Sequence, residues 1–134
     1  MTQPKAWREA GDVTELRVQL KYRELGYVLL SPVTSSSYTP FDLVLYRDGV
    51  FKRVQIKTGY RSNKPASTLS FHTRSSNGVC YHGSIDVFAV VDPLHLSIYE
   101  VPVSVIGPEQ TRATLSFLAD PRLSALRASQ FKLE

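Results

Sequence analysis

The chain has 134 residues, 43% hydrophobic and 21% charged, with 16 Lys and Arg against 12 Asp and Glu for a formal net charge of +4. That is apolar material for one domain that folds without staples, and a single cysteine, Cys80, excludes an internal disulfide and fits a reducing compartment. No apolar run approaches the ~20 residues needed to cross a membrane, and Met1-Thr2-Gln3-Pro4-Lys5 lacks the apolar stretch of a signal peptide, so an intracellular, cytoplasmic protein is expected.

Gly11 to Gly26 reads as the first helix. Asp12 can cap it, Glu15 sits at the third position of its first turn, Gly26 suits its end, and Val13, Leu16 and Leu20 form an apolar stripe. Tyr27 to Leu30 is a short strand, followed by Pro32 and a Ser/Thr-rich loop from Val33 to Pro40. Phe41 to Thr58 contains Asp48-Gly49 between two apolar-rich runs, the strongest short-range signal of a β-hairpin. Gly59 to Ala66 is basic and polar and reads as a surface excursion. Thr68 to Thr73 alternates weakly as a strand and ends in the polar run from Thr73 to Gly78. Ile85 to Val91 is a buried strand by its β-branched density, and Leu96 to Val103 is another. Asp120-Pro121 opens a short final helix docked by Leu123, Leu126 and Phe131. Helix, then strands, then helix predicts an α+β or mixed α/β domain spanning 1–134, with a central mixed sheet flanked by helices, a core of about 11–104 and an extension over 105–134.

The hairpin carries the most informative side chains. With 48 and 49 as a two-residue loop, Arg47 faces Val50, and stepping outward brings Asp42 opposite Gln55, roughly 5 Å apart at Cβ, with Lys57 diagonal to them on the same face. A three-residue loop would slip the register by one and put Asp42 and Gln55 on opposite faces. Leu43, Leu45, Val54 and Ile56 make one face apolar, yet Val44, Tyr46 and Phe51 lie on the other, the pattern of strands covered on both sides. A carboxylate and a lysine in such strands are desolvated unless paired or bound to metal, which favours a functional role over surface decoration.

Asp42, twelve residues, then Gln55-Ile56-Lys57 resembles the motif of the PD-(D/E)XK nuclease superfamily. Gly11-Asp12-Val13-Thr14-Glu15 with Leu25-Gly26-Tyr27 resembles that family's first helix and its glutamate. Phe71 to Ser76 and Gly83 to Val90 resemble a branch containing small group I intron homing endonucleases, to which the archaeal-type Holliday junction resolvases are related in fold. Two departures stand out: Phe41 occupies the usual proline position, with Pro40 one place back, and Gln55 replaces the acid, a glutamine the intron-associated branch also uses. The resemblance implies a restriction-endonuclease-like fold and a Mg²⁺-dependent DNA endonuclease, Mn²⁺ substituting.

In that reading Asp42, the Gln55 amide oxygen, the Ile56 carbonyl and the scissile phosphate surround the ion, which prefers oxygen donors. Lys57 orients the attacking water or stabilises charge on the phosphate, and Glu15 holds a metal-bound water or second ion. Tyr60, Arg61, Lys64, His72, Arg74, Ser75 and Ser76 are the candidate DNA contacts, with Lys52 more simply a solvated residue. Cys80-Tyr81-His82 offers no zinc-ligand spacing. A homodimer or higher oligomer would cut two strands. The small chain leaves little room for a base-reading module, which favours a structure-selective junction resolvase over a sequence-specific homing enzyme acting on duplex. A non-catalytic nucleic-acid-binding domain is the reading from another class, opposed by the intact Asp42, Gln55 and Lys57 set.

Overall fold

The computed structural model describes residues 5–34, 39–62, 67–75, 78–118 and 126–134, with side chains described from residue 11 onward. The fold is α+β. Among the described residues one α-helix, α1 (Lys5–Glu24), precedes nine strands: β1 (Val28–Leu30), β2 (Leu43–Arg47), β3 (Val50–Thr58), β4 (Tyr60–Arg61), β5 (Thr68–His72), β6 (Val87–Val91), β7 (Ile98–Pro102), β8 (Arg112–Ser116) and β9 (Leu126–Arg127). They form a five-stranded sheet in the order β1-β2-β3-β6-β7 and a four-stranded sheet in the order β4-β5-β8-β9. The first sheet is mixed, because β3 and β6 run parallel while its other neighbours are antiparallel.

The hairpin follows its turn chemistry. Asp48 and Gly49 both take positive φ, 53° and 82°, and Arg47 pairs with Val50. From there the register runs without slippage through Tyr46↔Phe51, Leu45↔Lys52 and Val44↔Arg53 to Leu43↔Val54.

α1 differs from expectation at its start and in its buried face. It begins at Lys5 and runs through Gly11 and Asp12, so Asp12 does not cap it and Glu15 lies well inside it rather than in the first turn. Val13, Leu16 and Leu20 are 46%, 63% and 62% exposed, whereas Thr14, Val18 and Tyr22, spaced one turn apart, are buried. The true stripe contains two polar groups with distant partners: Thr14 Oγ1 lies 3.0 Å from Thr58 Oγ1, and the Tyr22 hydroxyl donates to Glu100 at 2.8 Å. The helix ends as Gly26 foretells. Gly26 has φ 90°, its amide donates to the Arg23 carbonyl and that of Tyr27 to the Tyr22 carbonyl, and the Tyr22 and Tyr27 rings meet edge to face at 5.5 Å. Those bonds satisfy carbonyls the last turn would otherwise leave open.

Two cores lie on opposite faces of the five-stranded sheet. Val18 and Tyr22 of α1 pack with Leu43, Leu45, Val54, Ile56, Val87 and Ala89 on one side. Phe88, Val90, Tyr99 and Val101 meet Leu69, Phe71, Ala113 and Leu115 of the second sheet on the other. The flanking layers are therefore one helix and a second sheet. β3 sits in the middle, and its alternating side chains point into both layers.

The tail was expected to end in a helix opened by Asp120-Pro121. That start lies outside the described residues, and Leu126, expected on the helix, stands in β9 beside Leu115. The stretch before it supplies β8, which pairs along β5 from Thr68↔Ser116 to His72↔Arg112. Gly59–Arg61 is no surface excursion: Gly59 is buried, and Tyr60 and Arg61 pair with Ser70 and Leu69.

Candidate active site

The β2–β3 ladder stops one pair short of Asp42 and Gln55. Instead the Asp42 amide donates to the Val54 carbonyl at 2.8 Å, so Asp42 and Leu43 both face Val54 in the manner of a β-bulge. This corrects the expected Asp42–Gln55 pairing, and it re-aims the acid. Its Oδ2 accepts the Ile56 amide at 2.8 Å, while the other carboxylate oxygen takes no hydrogen bond among the described residues. In an extended strand the N–H and C=O of one residue face the same edge, so the Ile56 carbonyl opens on the Asp42 side too.

Parallel pairing with β6 sets Gln55 opposite Phe88 and Lys57 opposite Val90. Val54 and Ile56 point toward α1, so Gln55 and Lys57, both half-buried, point toward the second sheet. The Lys57 ammonium reaches the Tyr81 hydroxyl at 3.4 Å and stands 5.1 Å from the centre of its ring.

Charges at this sheet end are mutually coupled. Burial pushes the Asp42 carboxyl above the usual range, opposed by the Ile56 amide and the Lys57 charge. Burial pushes Lys57 down, opposed by Asp42. Glu15 is raised by burial, then by the charges of Asp42 and Asp12, so α1 delivers this glutamate within electrostatic reach of Asp42. The Thr14–Thr58 contact fastens the helix to β3 at the residue after Lys57, which fixes where Glu15 lies.

An open cleft of about 480 Å³ runs from Lys57 past His72, Arg74, Ser75, Gly78 and Thr111. Tyr60 packs on His72 at its side, ring centres 5.6 Å apart. The structure thus joins Lys57 to four candidate DNA contacts that lie up to eighteen residues away along the chain. Lys64 and Ser76 lie outside the described residues. Arg74 donates to the Gly78 carbonyl at 2.8 Å and the Pro108 carbonyl at 2.6 Å, and its buried Nε has no partner among the described residues. Carbonyls leave its charge uncompensated, and no carboxylate among the described residues pairs with it.

Arg61 faces away from solvent. Its guanidinium pairs twice with Asp92, whose side chain is 1% exposed, and lies 4.2 Å above the Phe117 ring. Burial alone would raise the Asp92 carboxyl, but Arg61 and the Leu94 and His95 amides hold it below its usual range. That guanidinium is already committed to a buried acid. Lys52 likewise pairs with Glu100 at 3.1 Å. Tyr81 is a site residue that no motif spacing points to, since it stands between Cys80 and His82 with no recognisable pattern of its own. There the Cys80 Sγ meets His82 Nδ1 at 3.0 Å, but no group of three or more His, Cys, Asp or Glu able to hold a metal occurs among the described residues.

A family model for PD-(D/E)XK endonucleases matches residues 6–133. The chain belongs to the PD-(D/E)XK endonuclease family. The match extends well past residue 104, where the motif resemblance ends, and takes in β8 and β9. Among solved structures, that of a bacterial homing endonuclease, I-Ssp6803I, is similar, with a TM-score of 0.68 and 20% sequence identity over 91% of this chain and 83% of that one. At that identity the likeness speaks for the restriction-endonuclease-like fold. No curated protein matches.

PD-(D/E)XK nucleases generally use divalent metals, and the donor set here suits a hard cation. Asp42 offers a free carboxylate oxygen, Gln55 an amide oxygen and Ile56 a carbonyl, all oxygen donors. Asp42 and Glu15 are each displaced toward the neutral acid, chiefly by burial.

Proposed function

We propose that the protein is a Mg²⁺-dependent DNA endonuclease, able to use Mn²⁺, with Asp42, Gln55 and Lys57 as its central residues and Glu15 assisting. The observation that carries this reading is the Asp42 carboxylate seated on the Ile56 amide at 2.8 Å, which sets acid and lysine at one sheet end. Asp42, Gln55 and the Ile56 carbonyl would hold the ion, which when bound supplies Lewis-acid charge to the phosphate and a more acidic water. The Lys57 ammonium stabilises charge building on the phosphate. Glu15 orients water from the helix side. The phosphate backbone follows the cleft past His72 and Ser75 under the positive charge of Arg74, with Tyr60 against sugar or base.

Small size favoured a junction resolvase. The likeness to a homing endonuclease of which this chain covers 83% weakens that inference, because a similarly sized chain is described there as a homing enzyme. We therefore favour a duplex of defined sequence over a four-way junction, cut by a homodimer or higher oligomer with one site per strand. Cleavage of a four-way junction, a library of linear duplexes and single strands, each with and without Mg²⁺, tests both levels. Mg²⁺-dependent cutting that is lost in Asp42→Asn is expected. Absence of cutting on every substrate with either metal refutes the nuclease reading, and equal cutting of junctions with unrelated arms refutes sequence selection.

A further inference from the structure

Tyr81 is a buried side chain whose polar end reaches the reactive lysine. It is 8% exposed, and its carbonyl accepts the Ser84 and Ile85 amides at 3.0 and 3.2 Å, so its backbone is held in a tight turn. Its ring meets that of Phe88 edge to face at 5.6 Å, and Phe88 is the β6 neighbour of Gln55. Backbone and ring are thus both fixed to the sheet that carries the site. From that mount the hydroxyl lies 3.4 Å from Lys57 Nζ, with the ring centre 5.1 Å from the same nitrogen.

Lysine has a flexible four-carbon stem and a compact ammonium with three donors, and it loses about 2 kcal/mol of rotamer freedom when fixed. Half-buried at the sheet end, its charge needs acceptors to replace water. Tyr81 offers an oxygen lone pair and the negative face of a ring within the ~6 Å over which a cation is attracted. The Asp42 charge lies near enough to attract the ammonium as well. Two anchors on different elements define its position better than one.

We propose that Tyr81 is a positioning residue of the nuclease site, holding the Lys57 ammonium beside Asp42 through its hydroxyl and its ring. This rests on the function proposed above. Tyr81 touches no substrate; it acts through Lys57.

The test is a double-mutant cycle under single-turnover conditions with saturating Mg²⁺. Tyr81→Phe keeps the ring and the packing on Phe88 and lowers the cleavage rate about tenfold, the low end for a hydrogen bond to a charged group. Tyr81→Leu lowers it further. DNA affinity stays at the wild-type value in both, and both substitutions are without effect in a Lys57→Ala background, because residues that act as one unit are not additive. Equal losses in the two backgrounds, or a loss confined to DNA affinity, would overturn the proposal. A second readout does not depend on cleavage. The Lys57 ε-methylene protons, near the ring, show an upfield nuclear magnetic resonance shift in the wild-type protein and Tyr81→Phe that disappears in Tyr81→Leu. A protein that cuts no DNA but shows this pattern loses the nuclease reading and keeps the Tyr81–Lys57 contact. Unshifted Lys57 resonances in the wild-type protein sink the contact itself.

Discussion

Asp42→Asn should inactivate the protein and, without metal, make it more stable. Asparagine keeps the shape of the side chain, and its amide oxygen can accept the same Ile56 N–H bond that Asp42 accepts at 2.8 Å. What disappears is a half-buried charge. Burial raises the Asp42 carboxyl even after the Ile56 amide and Lys57 have lowered it, so in the folded chain the ionised form is disfavoured. Such a carboxyl leaves stability untouched well below its unfolded pKa near 3.9 and weakens the fold progressively as pH rises through its folded value, each unit of displacement corresponding to about 1.4 kcal/mol, discounted for partial exposure. The advantage of the mutant should therefore grow with pH from about 4 and level off toward neutrality. Mg²⁺ should reverse the ranking, because an ion that binds only the folded wild type at 100 times its dissociation constant adds about 2.7 kcal/mol. Cleavage should fall at least ~10²-fold, the scale of removing one electrostatic stabiliser of the transition state. Urea unfolding from pH 4 to 8, in chelator and in Mg²⁺, measures all of this. A mutant less stable than wild type in chelator at neutral pH, or stabilised equally by Mg²⁺, would refute the picture of a desolvated metal-binding carboxylate.

Gln55→Glu adds a charged ligand and should lower the Mg²⁺ concentration for half-maximal cleavage; a titration that overlays the wild-type curve would place Gln55 away from the ion. Arg61→Ala leaves the Asp92 carboxylate, 1% exposed, without its guanidinium and should destabilise the fold by about 3–5 kcal/mol. DNA affinity per folded molecule should keep its salt dependence, and a slope reduced by about one would instead make Arg61 a phosphate contact. Gly59→Ala places a Cβ 2.5 Å from Leu69 Cδ1 and 3.2 Å from Val90 Cγ1, and overpacking there should remove about 1–3 kcal/mol in chemical denaturation. An unchanged unfolding midpoint would show that β4 and β5 part easily.

Local chemistry was readable in the chain, and distant pairing was not. Asp48-Gly49 fixed the hairpin because both residues had to take positive φ, and Gly26 ended α1 for the same reason. The face of α1 was misread because Thr14 and Tyr22, polar at their tips, are buried against partners 44 and 78 residues away. No periodicity of apolar residues reveals such a stripe. Arg61 looked like a surface cation for the same reason, since its acid lies 31 residues on. β8 did carry a signal, with Ala113 and Leu115 buried and Arg112 exposed at period two, but the alternation is short and its residues small. Asp42, Gln55 and Lys57 could be proposed together because the hairpin that carries them is itself local.

The one misjudged detail of that hairpin is the most instructive about function. Continued without a bulge, the ladder would give the Ile56 amide to the Phe41 carbonyl and leave the Asp42 side chain free to swing. Instead the Asp42 side chain takes the place of the next strand residue, and one carboxylate oxygen replaces a backbone carbonyl. That exchange satisfies the Ile56 amide, opens the edge of β3 on which the Ile56 carbonyl lies, and immobilises an acid that burial would otherwise discourage from ionising. Regular pairing is given up where a rigid, partly desolvated carboxylate is wanted, consistent with bulges gathering beside active sites. In the function proposed above, the fold would thereby hold its acid in place before any ion arrived, and less ordering would remain to be done when metal and phosphate bound.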